Sequence, residues 1–128
     1  MRTISIAFIA AVAACATSSL QTAWATDDPV AFLHALQKGG YSDIAVDYLK
    51  TLMDQPDAPK EIVSLWDFEM SRSLRASAKM AYNEAEAKRL LDEAEKYLDK
   101  FIKQNPNHPK AIEAAAWWAE VSLIEALR

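Results

Sequence analysis

The chain has few of the residues from which catalytic and metal sites are commonly built. Its 128 residues include one cysteine, two histidines and two glycines. A lone cysteine cannot form a disulfide within the chain, and His34 and His108 lie too far apart in sequence to suggest a metal site. The adjacent glycines are followed by tyrosine, not by the Lys-Ser/Thr of a phosphate-binding loop. The sequence therefore predicts no metal, no cofactor and no catalytic residue.

Basic residues are also outnumbered. Fourteen Lys and Arg residues face eighteen Asp and Glu residues, which gives a net charge of −4. A mildly acidic chain with no basic stripe disfavours nucleic-acid binding. Many of the acidic residues alternate with lysines between residues 84 and 103, as on a solvated helix face. Nothing in this pattern holds two carboxylates apart in a cleft, so we do not expect an enzyme.

The N-terminal segment has the features of an export signal. Ile4–Ala16 is an almost unbroken apolar run, shorter than the roughly 20 residues that a membrane-spanning helix needs. Ala23-Trp24-Ala25 places small residues before a cleavage site between Ala25 and Thr26. We expect residues 1–25 to be a signal peptide and residues 26–128 to be the mature domain. Its expected location is the periplasm or cell envelope, with no transmembrane span.

Cys15 allows a second interpretation of this segment. Val12-Ala13-Ala14-Cys15 resembles the lipobox of bacterial lipoproteins, in which the cysteine is lipidated and becomes the mature N-terminus. The alternative is that Cys15 serves as a small apolar residue of a signal peptide that is removed. The first interpretation predicts an outer-membrane lipoprotein, and the second a protein without a lipid anchor.

Five helices are predicted for the rest of the chain, and no stretch has the period-two alternation of a strand. Asp28-Pro29 is a helix start, and Gly39-Gly40 is a helix stop. Asn83 and Glu86 resemble a capping box, but whether they begin a separate helix or lie within a longer one is open. The predicted ranges are 29–38, 42–54, 59–82, about 83 to 104, and 109 to the end.

A short phrase occurs twice in the chain. Gln55–Ile62 reads QPDAPKEI, and fifty residues later Asn105–Ile112 reads NPNHPKAI. A repeat at a fixed offset, with prolines between helical patterns, is typical of stacked-repeat proteins. It predicts that Ile62 and Ile112 each begin a core-facing stripe and that His108 is a helix-entry residue.

These residues resemble the tetratricopeptide (TPR) repeat, a helix–turn–helix unit of 34 residues. The matching positions are Gly39, Tyr41, Tyr48 and Pro56 in the first unit, with Ala45 one place beyond the usual alanine, and Ala94 and Pro106 in the second. The offset of fifty and the missing Trp-Leu-Gly start depart from the family. The resemblance implies an all-α fold in which antiparallel helix pairs stack as a short TPR-like α-solenoid over residues 26–128.

Aromatic residues are the best candidates for binding a partner. Trp117 and Trp118 point about 100° apart on one helix, so we expect one in the core and the other covering a further repeat or anchoring a peptide. Trp66 and Tyr82 are candidates of the same kind. The candidate partner-binding residues are thus Trp66, Tyr82, Trp117 and Trp118.

The last predicted helix has two apolar faces and no helix after it. Ile112, Ala115, Ala116, Ala119 and Leu123 form one face, while Trp117, Val121 and Ile124 form the other. We expect a fragment of a longer repeat protein. The alternatives are a terminal helix that packs back onto the third and fourth helices, or self-association through this helix.

The function expected from these features is a non-catalytic scaffold that binds protein or peptide partners. Two alternatives remain. The segment could be the N-terminal repeat array of a longer envelope protein, serving as a spacer, or the accessory domain of an exported enzyme.

Replacing Cys15 separates the two interpretations of the leader. If Cys15 is lipidated, Cys15→Ser releases the protein from the membrane fraction, because the lipid anchor is lost. Membrane association is measured by fractionating cells that express each form. Unchanged association would exclude the lipobox interpretation.

Overall fold

The computed structural model describes residues 28–127, and this part of the chain is all-helical. Cys15 and the cleavage site at Ala25 and Thr26 lie outside the described residues. The five helices are α1 (Pro29–Lys38), α2 (Ser42–Met53), α3 (Lys60–Lys79), α4 (Glu84–Gln104) and α5 (Lys110–Ala126).

The predicted boundaries of α1 are confirmed, with the expected physical causes. The Asp28 carboxylate accepts hydrogen bonds from the backbone N–H groups of Val30 and Ala31, at 2.9 and 3.3 Å. These two groups have no partner within the helix, so the side chain satisfies them. Beyond the other end, Gly40 has a φ of +83°, a conformation that favours glycine. The chain can therefore turn directly into α2.

The boundary between α3 and α4 was open in the sequence, and the structure places two separate helices there. α3 ends at Lys79, three residues before the predicted end. The Asn83 side-chain oxygen then accepts a hydrogen bond from the N–H of Glu86 at 2.8 Å, so Asn83 caps a new helix. The third predicted helix was too long because its apolar pattern continues through Met80 and Tyr82, which are exposed.

The directions of the helices follow from their contacts. Trp66 packs on Tyr97, and further along α3 Ala78 shares a cluster with Leu91, so α3 and α4 run antiparallel. Phe68 packs on Trp117, and Ala78 also shares its cluster with Val121, so α3 and α5 run parallel. α4 therefore packs against both α3 and α5, while α3 also contacts α1 and α2 and reaches α5 through long side chains.

The apolar core is divided into three clusters along α3. The first joins α1, α2 and α3 with one residue of α4, the second surrounds Phe68, and the third lies between the C-terminal halves of α3 and α5 and the first half of α4. The buried members of the first cluster are Leu33, Ala45, Val46, Leu49, Leu52, Ile62, Met70, Leu74 and Ala94. Those of the second cluster are Phe68, Leu98, Phe101 and Ala114. Those of the third cluster are Ala78, Leu91 and Val121.

Two buried carboxylates of α3 are held by polar partners on neighbouring helices. Asp67 accepts a hydrogen bond from Lys100 of α4 at 2.9 Å. Glu69 accepts one from the Gln37 amide of α1 at 2.9 Å. A buried carboxylate without a partner is costly, so these contacts fix how α1 and α4 sit on α3.

The two copies of the repeated phrase lie in different environments. Ile62 is 2% exposed and belongs to the first cluster, whereas Ile112 is 82% exposed. The prediction that Ile112 begins a core-facing stripe was wrong. Trp117 faces the core instead, and it lies about 140° from Ile112 around the helix, so one helix orientation cannot bury both.

This difference predicts unequal effects of the same substitution. Ile62→Ala should destabilise the fold by about 2–5 kcal/mol because it leaves a cavity in the core. Ile112→Ala should change the stability by less than about 0.5 kcal/mol in dilute protein, because its side chain lies in solvent. Urea unfolding of both variants measures the difference. Equal losses would mean that the two positions are equivalent after all.

Candidate protein-binding surfaces

One face of α5 is apolar and points away from the other helices. At 100° per residue, its members fall within an arc of about 100° that carries no charged residue. Ile112 is 82% exposed and Leu123 is 60% exposed. We call this surface the α5 outer face; it consists of Ile112, Ala115, Ala116, Ala119, Leu123 and Ala126, all of them exposed.

The opposite face of α5 is anchored through Trp117. Its ring stacks on Phe68 of α3, with ring centroids 4.8 Å apart and planes 18° apart. The Arg75 guanidinium lies 4.5 Å from the centroid of the same ring, in a cation–π contact. Arg75 also forms an ion pair with Glu120, one turn further along α5. These contacts determine which face of α5 remains in solvent.

Residues around Pro106 and Pro109 fix the start of α5. The ring of His108 packs edge-on against Phe101, with centroids 5.6 Å apart. Its Nδ1 accepts a hydrogen bond from the N–H of Lys110 at 3.0 Å. His108 is therefore the helix-entry residue that the sequence predicted. The Lys110 ammonium in turn lies 5.0 Å from the centre of the Phe68 ring.

The four candidate aromatic residues lie in different environments. Trp66 is half-buried edge-on against Tyr97, at 5.2 Å between centroids, and its indole N–H donates to the carbonyl of Leu49 at 3.4 Å. Trp117 is half-buried against Phe68. Tyr82 is 99% exposed in the loop before α4, and Trp118 is 40% exposed beside the α5 outer face. Tyr82 and Trp118 are thus the accessible members of the set.

A groove of about 510 Å³ lies between α2 and α4, over the C-terminal half of α3. Val46, Leu74 and Leu90 form its apolar part. Its charged rim includes the carboxylates Asp43, Asp47, Glu86 and Glu93, together with Lys50 and Arg89.

The charges on the α4 side of this groove are already paired. Arg89 contacts Glu86 at 2.7 Å and Glu93 at 3.3 Å. The hydrogen bond with Arg89 lowers the pKa of Glu86, and the same bond raises the pKa of Arg89. Because these side chains are partly open to solvent, such ion pairs contribute little to stability.

The described residues contain no arrangement that indicates metal chemistry. Between residues 28 and 127, no three His, Cys, Asp or Glu side chains are placed so that they could hold a metal ion. In the same part of the chain, no helix combines the length and the apolar character needed to cross a bilayer.

Comparison with known proteins identifies no relative. No family model, no curated protein and no solved structure matches the chain. Function is therefore inferred from the surfaces described above.

The sequence pattern predicts one of these surfaces only in part, and the other not at all. It indicates the apolar stripe of the α5 outer face but places Ile112 at the start of a core face. It gives no sign of the α2–α4 groove, because Asp43 and Asp47 come from one helix and Glu86 and Glu93 from another. Only the packing of both helices on α3 brings these residues together.

Tyr97, which packs on Trp66, should make the fold sensitive to alkaline pH. Burial raises the pKa of Tyr97, and the carboxylates Glu93 and Asp67 raise it further. The folded chain therefore holds this proton more tightly than the unfolded chain. The resulting stability is complete below about pH 10 and is lost as the pH rises through the raised pKa.

Tyr97→Phe has no phenol proton to lose, so its stability should fall less steeply above about pH 10 than that of the unsubstituted chain. Urea unfolding at a series of pH values compares the two. Parallel curves for both proteins would show that Tyr97 does not contribute to the alkaline loss.

Proposed function

We propose that this chain is a non-catalytic scaffold that binds other proteins through the α5 outer face. The observation that carries the proposal is the exposed apolar arc itself. Contiguous apolar surface on a folded domain marks an interaction site more often than isolated exposed residues do. Ile112 and Leu123 are three turns apart along α5, and the alanines between them would let another helix approach α5 closely.

The TPR-like stack is part of this proposal. Helices of such a stack alternate in direction, and the antiparallel α3–α4 pair with α5 parallel to α3 is consistent with that order. Each unit of a helical repeat protein exposes an apolar face that a neighbour covers. In this account the α5 outer face is such a face, and its neighbour is a protein or peptide.

The proposed location is the periplasm or the cell envelope. It is supported by the apolar run Ile4–Ala16 and the cleavage pattern at Ala23-Trp24-Ala25. The partner would then be another exported or envelope protein.

A spacer or accessory segment of a longer exported protein would also have this exposed apolar arc. In the whole protein, a further helix of the same polypeptide would cover it. In that case the contact on the α5 outer face would form within one polypeptide.

A photoreactive amino acid at position 123 tests the proposed function in cells that express the full chain. Leu123 lies on the α5 outer face, so the probe should cross-link to a bound protein. The matched control is the same probe at Lys96, an exposed position on α4. Cross-linked products are separated by size and identified by mass spectrometry.

Cross-links that form from position 123 and not from position 96 support the proposal. A failure to cross-link to any protein from position 123 would contradict it, as would equal products from position 96.

A further inference from the structure

The composition of the α5 outer face indicates what covers it. We propose that it binds a second copy of itself, with two α5 helices packed antiparallel about a two-fold axis that passes beside Ala119. The inference rests on the proposed function and names the partner of the same surface.

The register of large and small side chains along α5 favours an antiparallel pair. An antiparallel pair centred on Ala119 places each residue opposite the one equally far from the centre in the other direction. Ile112 then faces Ala126 of the second copy, and Leu123 faces Ala115. Each large side chain meets a small one, and Ala119 meets itself at the closest approach of the helices. Such large-to-small matching is what close helix packing requires.

A parallel pair lacks this match. It would place Ile112 on Ile112 and Leu123 on Leu123 near the two ends, with alanine on alanine between them. The large residues would hold the helices apart and leave a gap at Ala115 and Ala119. Because unfilled space loses packing energy, the antiparallel arrangement is favoured. In the antiparallel pair the two helix dipoles also point in opposite directions, which is favourable for helices side by side, whereas in a parallel pair they point the same way.

Charge on α5 does not oppose this arrangement. In the antiparallel pair, the edge of α5 that carries Glu113 and Glu120 faces the same edge of the second copy, so like charges come near each other. Both carboxylates are already paired within their own chain, Glu113 with Lys110 at 3.2 Å and Glu120 with Arg75. The two edges therefore present ion pairs and not bare negative charges, which removes most of the repulsion.

The area of the exposed surface bears on the strength of the association. An interface of standard size buries about 800 Å² on each partner, and weaker ones bury less. The exposed parts of Ile112 and Leu123, the four alanines of the α5 outer face, and the neighbouring Trp118 and Leu127 are the surface available to such a contact, and their size fits one of the weaker interfaces. Small residues at the centre let the two helices approach closely, so that more of this area is buried. The expected product is a dimer in concentration-dependent equilibrium with the monomer.

The test uses the full chain in a Cys15→Ser background, so that each introduced cysteine is the only thiol. Ala119→Cys should form a disulfide-linked dimer under mild oxidation, because position 119 meets itself. The matched control is Ile112→Cys, at another exposed position on the same face. In the antiparallel register the two copies of position 112 are about 21 Å apart along the helix axis, too far for a disulfide.

Sedimentation equilibrium then measures the association without any cross-link. The unsubstituted chain should shift from monomer to dimer as its concentration rises. Leu123→Glu should weaken the association by at least about tenfold, because it places a charge opposite Ala115 in an apolar contact. Ile44→Glu is the control, since Ile44 is an exposed apolar residue of α2, outside the α5 outer face, and its replacement should leave the association unchanged.

Several results would overturn the proposal. A chain that stays monomeric at about 100 μM has no dimer of useful strength. Cross-linking of Ile112→Cys equal to that of Ala119→Cys would contradict the register. A monomer that still cross-links to another protein from position 123 in cells would remove the dimer and leave the proposed function intact, whereas loss of both would remove both.

Discussion

The packing of Phe68 at the centre of α3 determines much of the rest of the structure. Its ring is fully buried, stacks on Trp117 of α5 and lies 5.4 Å from the ring of Phe101 on α4. The three rings join three helices at one point, and the Lys110 ammonium lies 5.0 Å from the centre of the Phe68 ring. Aromatic contacts of this kind bury a large area with a defined geometry, so they set the rotation of a helix as well as its position.

The rotation of α5 has a direct consequence for function. With Trp117 on Phe68, the residues about half a turn away must face solvent, and these are the apolar residues of the α5 outer face. A helix with apolar residues on two sides is normally covered on both. The contacts that stabilise the fold on one side of α5 thus leave an incomplete core on the other, and this is the physical basis of the proposed binding surface.

The sequence predicted the local structure well because local chemistry decides it. The Asp28 carboxylate accepts a hydrogen bond from a backbone N–H in the first turn of α1. Gly40 adopts the positive φ with which the chain turns away after α1. The ends of α1 and α4, at Lys38 and Gln104, were predicted correctly. The end of α3 was not, since the apolar pattern continues past Lys79 and only the cap at Asn83 marks the break.

Two other features could not be read from the pattern, because they depend on distant residues. Ile112 and Trp117 each belong to an apolar stripe along α5, and no local feature of the sequence decides which stripe faces the core. The fifty-residue repeat favoured Ile112, by analogy with Ile62. The structure favours Trp117, whose ring stacks on Phe68 and contacts the Arg75 guanidinium. Similarly, the α2–α4 groove exists only because both helices pack on α3.

The most direct test of this account is the contact between Phe68 and α5, measured by nuclear Overhauser effects in solution. We expect strong effects between the ring protons of Phe68 and the indole protons of Trp117, and none between Phe68 and the methyl groups of Ile112. Effects from the Ile112 methyl groups to Phe68, with none from Trp117, would show that α5 is rotated the other way. The α5 outer face would then be part of the core, and the proposed binding surface would not exist.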